Sequence, residues 1–124
     1  MMWFTASILI AIKPENYTGG SFEVYEDMYL LEAPSGREAM QKAEQLGREY
    51  LLIDDGLTID GVPATRSFIG IRKLISVCNP TPLAQDEERP VSGTEVTYAL
   101  YRVANDAAAT KLANGKKVNV VYLE

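Results

Sequence analysis

The first 33 residues alternate between hydrophobic and other positions in a way that predicts two β-strands. In residues 3–13, hydrophobic side chains recur at every second position: Phe4, Ala6, Ile8, Ile10 and Ile12. This period of two is typical of a strand with one buried face. A second hydrophobic run, residues 22–33, follows a turn region that contains the pair Gly19-Gly20. The two runs therefore predict an antiparallel hairpin with a longish loop.

A helix is predicted next, over residues 36–51. Ser35 followed by Glu38 has the spacing of a capping box. Behind this start, hydrophobic side chains recur at helical spacing: Ala39, Ala43, Leu46 and Tyr50. Two pairs of opposite charge are four residues apart in the favourable order: Glu38–Lys42 and Glu44–Arg48.

The remaining chain predicts three more strands and a short helix. Residues 53–67 are interpreted as irregular, 68–77 as a strand, 79–93 as a long exposed loop and 94–104 as a strand. A helix over 107–114, ended by Gly115, precedes a last strand over 118–123. The order β-β-α-β-β-α-β predicts one α+β domain, residues 1–124. Its sheet is mostly antiparallel and ferredoxin-like with an extra N-terminal strand, and both helices cover one face.

The opposite face of this sheet is the predicted interaction surface. If Phe4, Ile8 and Ile10 face the helices, Trp3 faces outward. In the second strand Val24, Met28 and Leu30 are expected inward, which leaves the tyrosines outward. The outward ligand or interface residues are then Trp3, Tyr25, Tyr29 and Tyr101, with Arg72 nearby. Large amphipathic rings are enriched at interfaces, so the sequence predicts that this face is covered. The cover is either a second copy of the chain or one of its own loops, 53–67 or 79–93.

Composition removes several kinds of chemistry. The 124 residues contain no histidine and one cysteine, and 17 acidic against 12 basic residues give a net charge of −5. A Ser-His-Asp triad, a histidine-ligated zinc and an internal disulfide are therefore excluded. Cys78, in an apolar stretch, is expected to be a small buried hydrophobe. No cofactor and no metal are predicted, because Asp54, Asp55 and Asp60 do not match a calcium loop.

Charge and length also narrow the choice of partners. The negative balance disfavours binding to nucleic acid phosphates, and the apolar start is too short to cross a membrane. A cytoplasmic protein is expected. A homodimer, or complex formation with a basic protein through salt-dependent contacts, is predicted. The acidic residues of the second strand, Glu23, Glu26, Asp27 and Glu32, are interpreted as edge charges that discourage aggregation.

A second class of function stays open at this point. A small-molecule sensor or enzyme would have a pocket between the sheet and loop 53–67, lined by Trp3, Tyr25, Tyr29 and Arg72. Tyrosine and arginine can perform limited proton or anion chemistry. The absence of histidine makes a non-enzymatic binding domain the preferred interpretation.

Several short segments resemble a family of small bacterial proteins classed as a domain of unknown function. They are Trp3-Phe4-Thr5-Ala6-Ser7-Ile8-Leu9, residues 25–33 followed by Ser35 and Glu38-Ala39, Gly70-Ile71-Arg72-Lys73-Leu74, and Thr94-Glu95-Val96-Thr97-Tyr98. The resemblance covers nearly the whole chain. It implies a stand-alone bacterial domain and assigns no functional residue.

Overall fold

The chain forms six β-strands and two α-helices in the computed structural model, which describes residues 1–50, 56–80 and 89–124. The strands are β1 (Met2–Pro14), β2 (Glu23–Ala33), β3 (Thr58–Ile59), β4 (Val62–Ser76), β5 (Tyr101–Arg102) and β6 (Val121–Tyr122). The helices are α1 (Gly36–Gln45), which continues into a π-helical turn (Leu46–Tyr50), and α2 (Asp106–Ala113).

β1 is the centre of a four-stranded sheet with the order β2-β1-β4-β3, in which neighbouring strands are antiparallel. The predicted hairpin of the first two strands is confirmed, and its register runs without a break from the pair Met2–Ala33 to the pair Ile12–Glu23. The ladder between β1 and β4 shifts register twice, between Ser7 and Ile8 and between Leu9 and Ile10. Such bulges bend a strand and increase its twist, so the sheet curls.

The hydrophobic core lies between α1 and one face of this sheet. Ile8 and Ile10 are buried together with Ala43 of α1, and Phe4 is buried together with Ala33 and Ala39. The prediction that Phe4, Ile8 and Ile10 face the helix is therefore confirmed. We call this side of the sheet the helix face and the opposite side the outer face. The small alanine side chains let the helix approach the sheet closely.

The predicted start of α1 is confirmed, and Ser35 is its N-cap. The Ser35 hydroxyl accepts a hydrogen bond from the backbone N–H of Glu38 (3.3 Å) and donates one to the Glu38 carboxylate (3.2 Å). The predicted pair Glu44–Arg48 is present at 3.8 Å. Lys42 instead donates to the backbone carbonyl of Glu32 (2.6 Å), which ties the helix to β2. The predicted last residue of the helix, Leu51, lies outside the described residues.

The prediction that residues 53–67 are irregular is wrong for the described part of that range. β3 pairs with the beginning of β4 through the partners Ile59 and Val62. Asp60 and Gly61 form the two-residue connection, with φ values of 51° and 80°. Two positive φ values are what a type I′ hairpin turn requires, and Asp-Gly is a favoured sequence for it. The predicted third strand therefore begins earlier, at Val62, and ends at Ser76.

The predicted strand over 94–104 is largely wrong. In the described residues Glu95 forms an isolated bridge with Cys78, and only Tyr101–Arg102 forms a ladder, opposite β6. A hydrophobic extended segment becomes a strand only where a neighbour supplies its hydrogen bonds. The last strand is shortened for the same reason to Val121–Tyr122.

α2 is confirmed, with Asn105 accepting from the backbone N–H of Ala108 at its start (2.9 Å) and Gly115 at φ 70° after its end. None of its side chains is buried. The α+β class with a mostly antiparallel sheet is confirmed, whereas the ferredoxin-like order is not. No helix in the described part of the chain is long and apolar enough to cross a membrane.

Cys78 is exposed, contrary to the prediction that it is buried. Its thiol lies 3.7 Å from the backbone carbonyl of Ser76. The neighbouring Val77 is the buried residue of this stretch, at 3% exposure. Alternation after β4 therefore buries Val77 and turns Cys78 outward.

Candidate interaction surface

The faces of β2 are the reverse of those predicted. Tyr29 stands opposite Ala6 and Tyr25 opposite Ile10, so both tyrosines lie on the helix face. Tyr29 packs against the buried core. Met28 and Leu30 lie on the outer face instead. The prediction failed because both faces of β2 are apolar, so that periodicity alone does not select one of them.

The end of β2 fixes its orientation. Ala33 is completely buried between Phe4 of β1 and Ala39 of α1. Only a small side chain fits where the helix passes this close to the sheet. With Ala33 on the helix face, the period of two places Leu31, Tyr29 and Tyr25 on the same face.

Tyr25 is 58% exposed and borders two open clefts, both of which are also lined by Leu57, the residue before β3. One cleft, of about 240 Å³, is also lined by Asp27 and Arg66. The other, of about 360 Å³, is also lined by Glu23 and Ile59. The alternative interpretation of the sequence places a pocket beside loop 53–67, and Tyr25 is one of the residues named for it. The described lining of both clefts includes none of the other three predicted residues, Trp3, Tyr29 and Arg72.

On the outer face, Arg72 of β4 contacts the C-terminal segment of its own chain. Its guanidinium lies 3.6 Å from the centroid of the Tyr122 ring, and its Nε is 3.9 Å from Oε2 of Glu26. Tyr101 stands opposite Tyr122 in the ladder of β5 and β6, and the centroids of the two rings are 5.4 Å apart. The structure therefore brings Arg72 and Tyr101 together through Tyr122, a residue that the sequence analysis did not select.

Lys73 adds a second contact with the same segment. Its ammonium donates a hydrogen bond to the backbone carbonyl of Tyr98 and lies 5.0 Å from the centroid of the Tyr98 ring. It also lies 5.7 Å from the Tyr122 ring. Cations above aromatic faces are attracted by the ring quadrupole. Around Arg72 and Lys73 the outer face is thus in contact with the chain itself, through a segment that neither of the two predicted loops contains.

The hydrogen bond of Tyr98 changes the acidity of its phenol. Tyr98 Oη donates to Oε1 of Glu124 at 2.7 Å. This bond is the main cause that raises the pKa of Tyr98 above its ordinary value, with smaller contributions from desolvation and from the charges of Glu124 and Glu95. The bond connects residue 98 to the end of the chain beside the ladder of β5 and β6.

Four polar side-chain atoms are buried without hydrogen-bond partners in the described residues, and three of them lie on the outer face of the sheet. Thr5 and Ser7 are 4% and 0% exposed. Their hydroxyl oxygens accept and donate no hydrogen bond within the described part of the chain, nor do Oε2 of Glu26, which has only the ion pair with Arg72, and Oγ1 of Thr97. A buried polar group without a hydrogen bond typically costs about 1–3 kcal/mol of stability. Each of these atoms therefore makes the folded state less favourable than an apolar atom in its place would.

Three hydrophobic side chains in the β2 half of the outer face are exposed. Val24, Met28 and Leu30 are 45%, 47% and 44% exposed, and we call these three residues the β2 surface. Trp3 lies on the same face, opposite Glu32, and is half-buried. The predicted aromatic face is thus replaced by an aliphatic strip beside a cationic and aromatic cluster. The near-continuous hydrophobic run of residues 28–31 is the sequence signal for this strip.

The chain belongs to the family described as "Domain of unknown function (DUF4288)", whose model matches residues 3–96. The resemblance inferred from the sequence is confirmed at that level. No curated protein and no solved structure matches the chain. The matched range contains β1 to β4 and α1, whereas β5, α2 and β6 lie beyond it.

Proposed function

We propose that the protein is a non-enzymatic interaction domain that forms a homodimer through its β2 surface. The observation that carries this proposal is the exposed aliphatic strip of Val24, Met28 and Leu30 on a long strand. Side chains of this size on a strand normally pack against a partner. The one cysteine of the chain fits the reducing cytoplasm, where we propose that the protein acts.

Exposed hydrophobic side chains support self-association. Fifteen large hydrophobic side chains in the described residues are at least 38% exposed. The chain therefore has accessible apolar surface to bury in a dimer.

The chemistry of the β2 surface favours a second copy over a basic protein. Its three side chains carry no charge, and an uncharged hydrophobic strip can lie beside an identical strip related by a two-fold axis. A basic partner would instead be recognised by carboxylates, and its binding would weaken as salt is added. Association that persists at high salt therefore distinguishes the hydrophobic homodimer from the electrostatic complex.

Analytical ultracentrifugation of the purified chain tests the proposal. We expect a species of twice 13.7 kDa at micromolar concentration, at both low and high salt. Leu30→Glu places a charge in the strip and is expected to give a monomer. Ile69→Glu is the matched control, because Ile69 is similarly exposed (51%) but lies on β4. A monomeric wild-type chain, or dissociation by the control substitution alone, would overturn the proposal.

The clefts beside Tyr25 support a second candidate function, the binding of a small molecule. The smaller cleft is lined by Tyr25, Asp27 and Arg66, which carry a hydroxyl, a carboxylate and a guanidinium group. The larger cleft, about 360 Å³, falls within the usual size of ligand sites. A thermal-shift screen of metabolites tests this function. A stabilising compound whose effect is lost in Tyr25→Ala but kept in Tyr101→Ala would support it, and a screen without any shift would reject it.

A further inference from the structure

β2 is an edge strand, and its free edge is long. The strand has 11 residues, β1 pairs along one side of it, and no described strand pairs along the other. A long edge exposes backbone N–H and C=O groups that another strand can use. Lys42 donates to the carbonyl of Glu32 near one end of the strand, which leaves the centre of the edge accessible.

Two-fold symmetry restricts how two copies of β2 can pair. In an antiparallel pair, directly opposed side chains lie on the same face of the sheet. The two-fold axis then passes midway between one residue and its own counterpart in the partner subunit. Pairing centred on the strand places the midpoint of Glu23–Ala33, Met28, opposite its own counterpart, and the contact of Lys42 with Glu32 then lies near the margin of the paired region.

The carboxylates of β2 favour the same register. With Met28 on the axis, the opposed pairs are Glu23 with Ala33, Val24 with Glu32, Tyr25 with Leu31, Glu26 with Leu30, and Asp27 with Tyr29. No carboxylate then faces another. If the axis moves to Asp27, that residue faces its own counterpart, and if it moves to Tyr29, Glu26 faces Glu32. Like charges directly opposite each other are destabilising.

Side chains on both faces of the strand contribute to this pairing. On the outer face Met28 meets Met28 of the partner subunit, and the two β2 surfaces adjoin. On the helix face Tyr25 meets Leu31 of the partner subunit, an aromatic–aliphatic contact. Cross-strand pairs of this kind contribute roughly 0.2–1 kcal/mol each.

We propose that two copies of the chain pair antiparallel through their β2 edges, with the two-fold axis at Met28, and form one continuous eight-stranded sheet. This inference rests on the proposed homodimer and adds the strand, the register and the residue on the axis.

Cysteine cross-linking tests the register. In a background with Cys78→Ser, Met28→Cys is expected to form an intermolecular disulfide under a mild oxidant such as diamide. Opposed residues of an antiparallel pair have Cα atoms about 4.5–5.5 Å apart, which is within the range of disulfides. Leu30→Cys is the matched control, because Leu30 has the same face and similar exposure, 44% against 47%. The two copies of residue 30 would be separated by four residues, about 14 Å along the strand.

A mixed experiment supplies the positive counterpart of this control. Glu26→Cys and Leu30→Cys proteins are each expected to remain uncross-linked alone and to form a disulfide when mixed, since residues 26 and 30 are opposed. Cross-linking of Leu30→Cys alone at the rate of Met28→Cys would overturn the register. If the Cys78→Ser chain sediments as a dimer but Met28→Cys forms no disulfide, the β2 pairing is wrong and the homodimer stands. If that chain is a monomer, both fail.

Discussion

Replacing Gly47 by alanine tests the closest approach between the helix and the sheet. Gly47 lies in the π-helical turn after α1 and is buried. A Cβ atom at this position would lie 2.5 Å from Cδ1 and Cε1 of Phe68 and 3.2 Å from Cγ2 of Ile8. The first two distances are shorter than van der Waals contact allows, so the Phe68 ring has to move. The guanidinium of Arg48, 4.8 Å from the centroid of that ring, has to move with it.

Two opposing effects decide the size of the change. Alanine is favoured over glycine in a helix by about 1 kcal/mol. Overpacking of a closely packed site costs about 1–3 kcal/mol, and a shortfall of about 1 Å against a ring belongs in the upper part of that range. We therefore expect Gly47→Ala to lower the free energy of unfolding by about 1–2 kcal/mol. For a chain of this length each kcal/mol corresponds to about 4 °C in Tm.

Thermal unfolding followed by circular dichroism measures this effect. Gly36→Ala is the matched control, because a Cβ at the first residue of α1 would meet only Cε1 of Phe4, at an ordinary 3.9 Å. Its Tm is expected to equal or exceed that of the wild type. Gly47→Ala combined with Phe68→Leu should recover part of the loss, since the smaller side chain makes room. The packing described here is refuted if Gly47→Ala melts at or above the wild-type temperature.

Three further substitutions test individual contacts. Ser7→Ala removes a buried hydroxyl that has no hydrogen-bond partner in the described residues. The Tm should therefore rise by about 4 °C, which corresponds to a gain of about 1 kcal/mol. A fall in Tm would show that the hydroxyl is hydrogen-bonded in solution. Ser35→Ala removes the N-cap of α1 and should cost about 1 kcal/mol in chemical denaturation, whereas an unchanged midpoint would contradict the capping role. The folded-state pKa of Tyr98 is raised. The hydrogen bond of Tyr98 therefore contributes fully to stability below about pH 10, the ordinary pKa of tyrosine. This contribution is lost as the pH rises through the folded-state pKa. The stability difference between wild type and Tyr98→Phe should therefore shrink in alkaline solution, and a difference that grows with pH would reverse the assigned direction.

Local signals in the sequence predict the elements that depend on neighbouring residues. Ser35 and Glu38 mark the start of α1 because a cap is made within one helical turn. The alternation in β1 identifies its buried face, since only one face of that strand is rich in large aliphatic side chains. The hairpin at Asp60-Gly61 was equally predictable, because its turn residues are adjacent in the sequence.

Features that depend on distant contacts could not be predicted. The faces of β2 are set by the fit of Ala33 between Phe4 and Ala39, three residues from three different elements. The extent of pairing after residue 94 depends on which strands lie alongside, which hydrophobic patterning does not encode. The contact of Arg72 with Tyr122 joins residues 50 positions apart and has no local signal. These long-range contacts also bring the C-terminal segment to Arg72 and Lys73 on the outer face.

The acidic residues of β2 have a dual consequence in this arrangement. Charges along an edge strand discourage indiscriminate pairing with other sheets, and Glu23, Glu26, Asp27 and Glu32 have that effect in every register that sets two of them opposite each other. The Met28-centred register avoids this repulsion and pairs more residues than the Leu30-centred register, which also avoids it, so charge and strand length together favour one symmetric pairing. The edge lies inside the range matched by the family model, whereas the segment from Tyr98 onward, which contacts β4, lies beyond it. The pairing surface is therefore built from the family's own part of the chain and does not require the C-terminal segment.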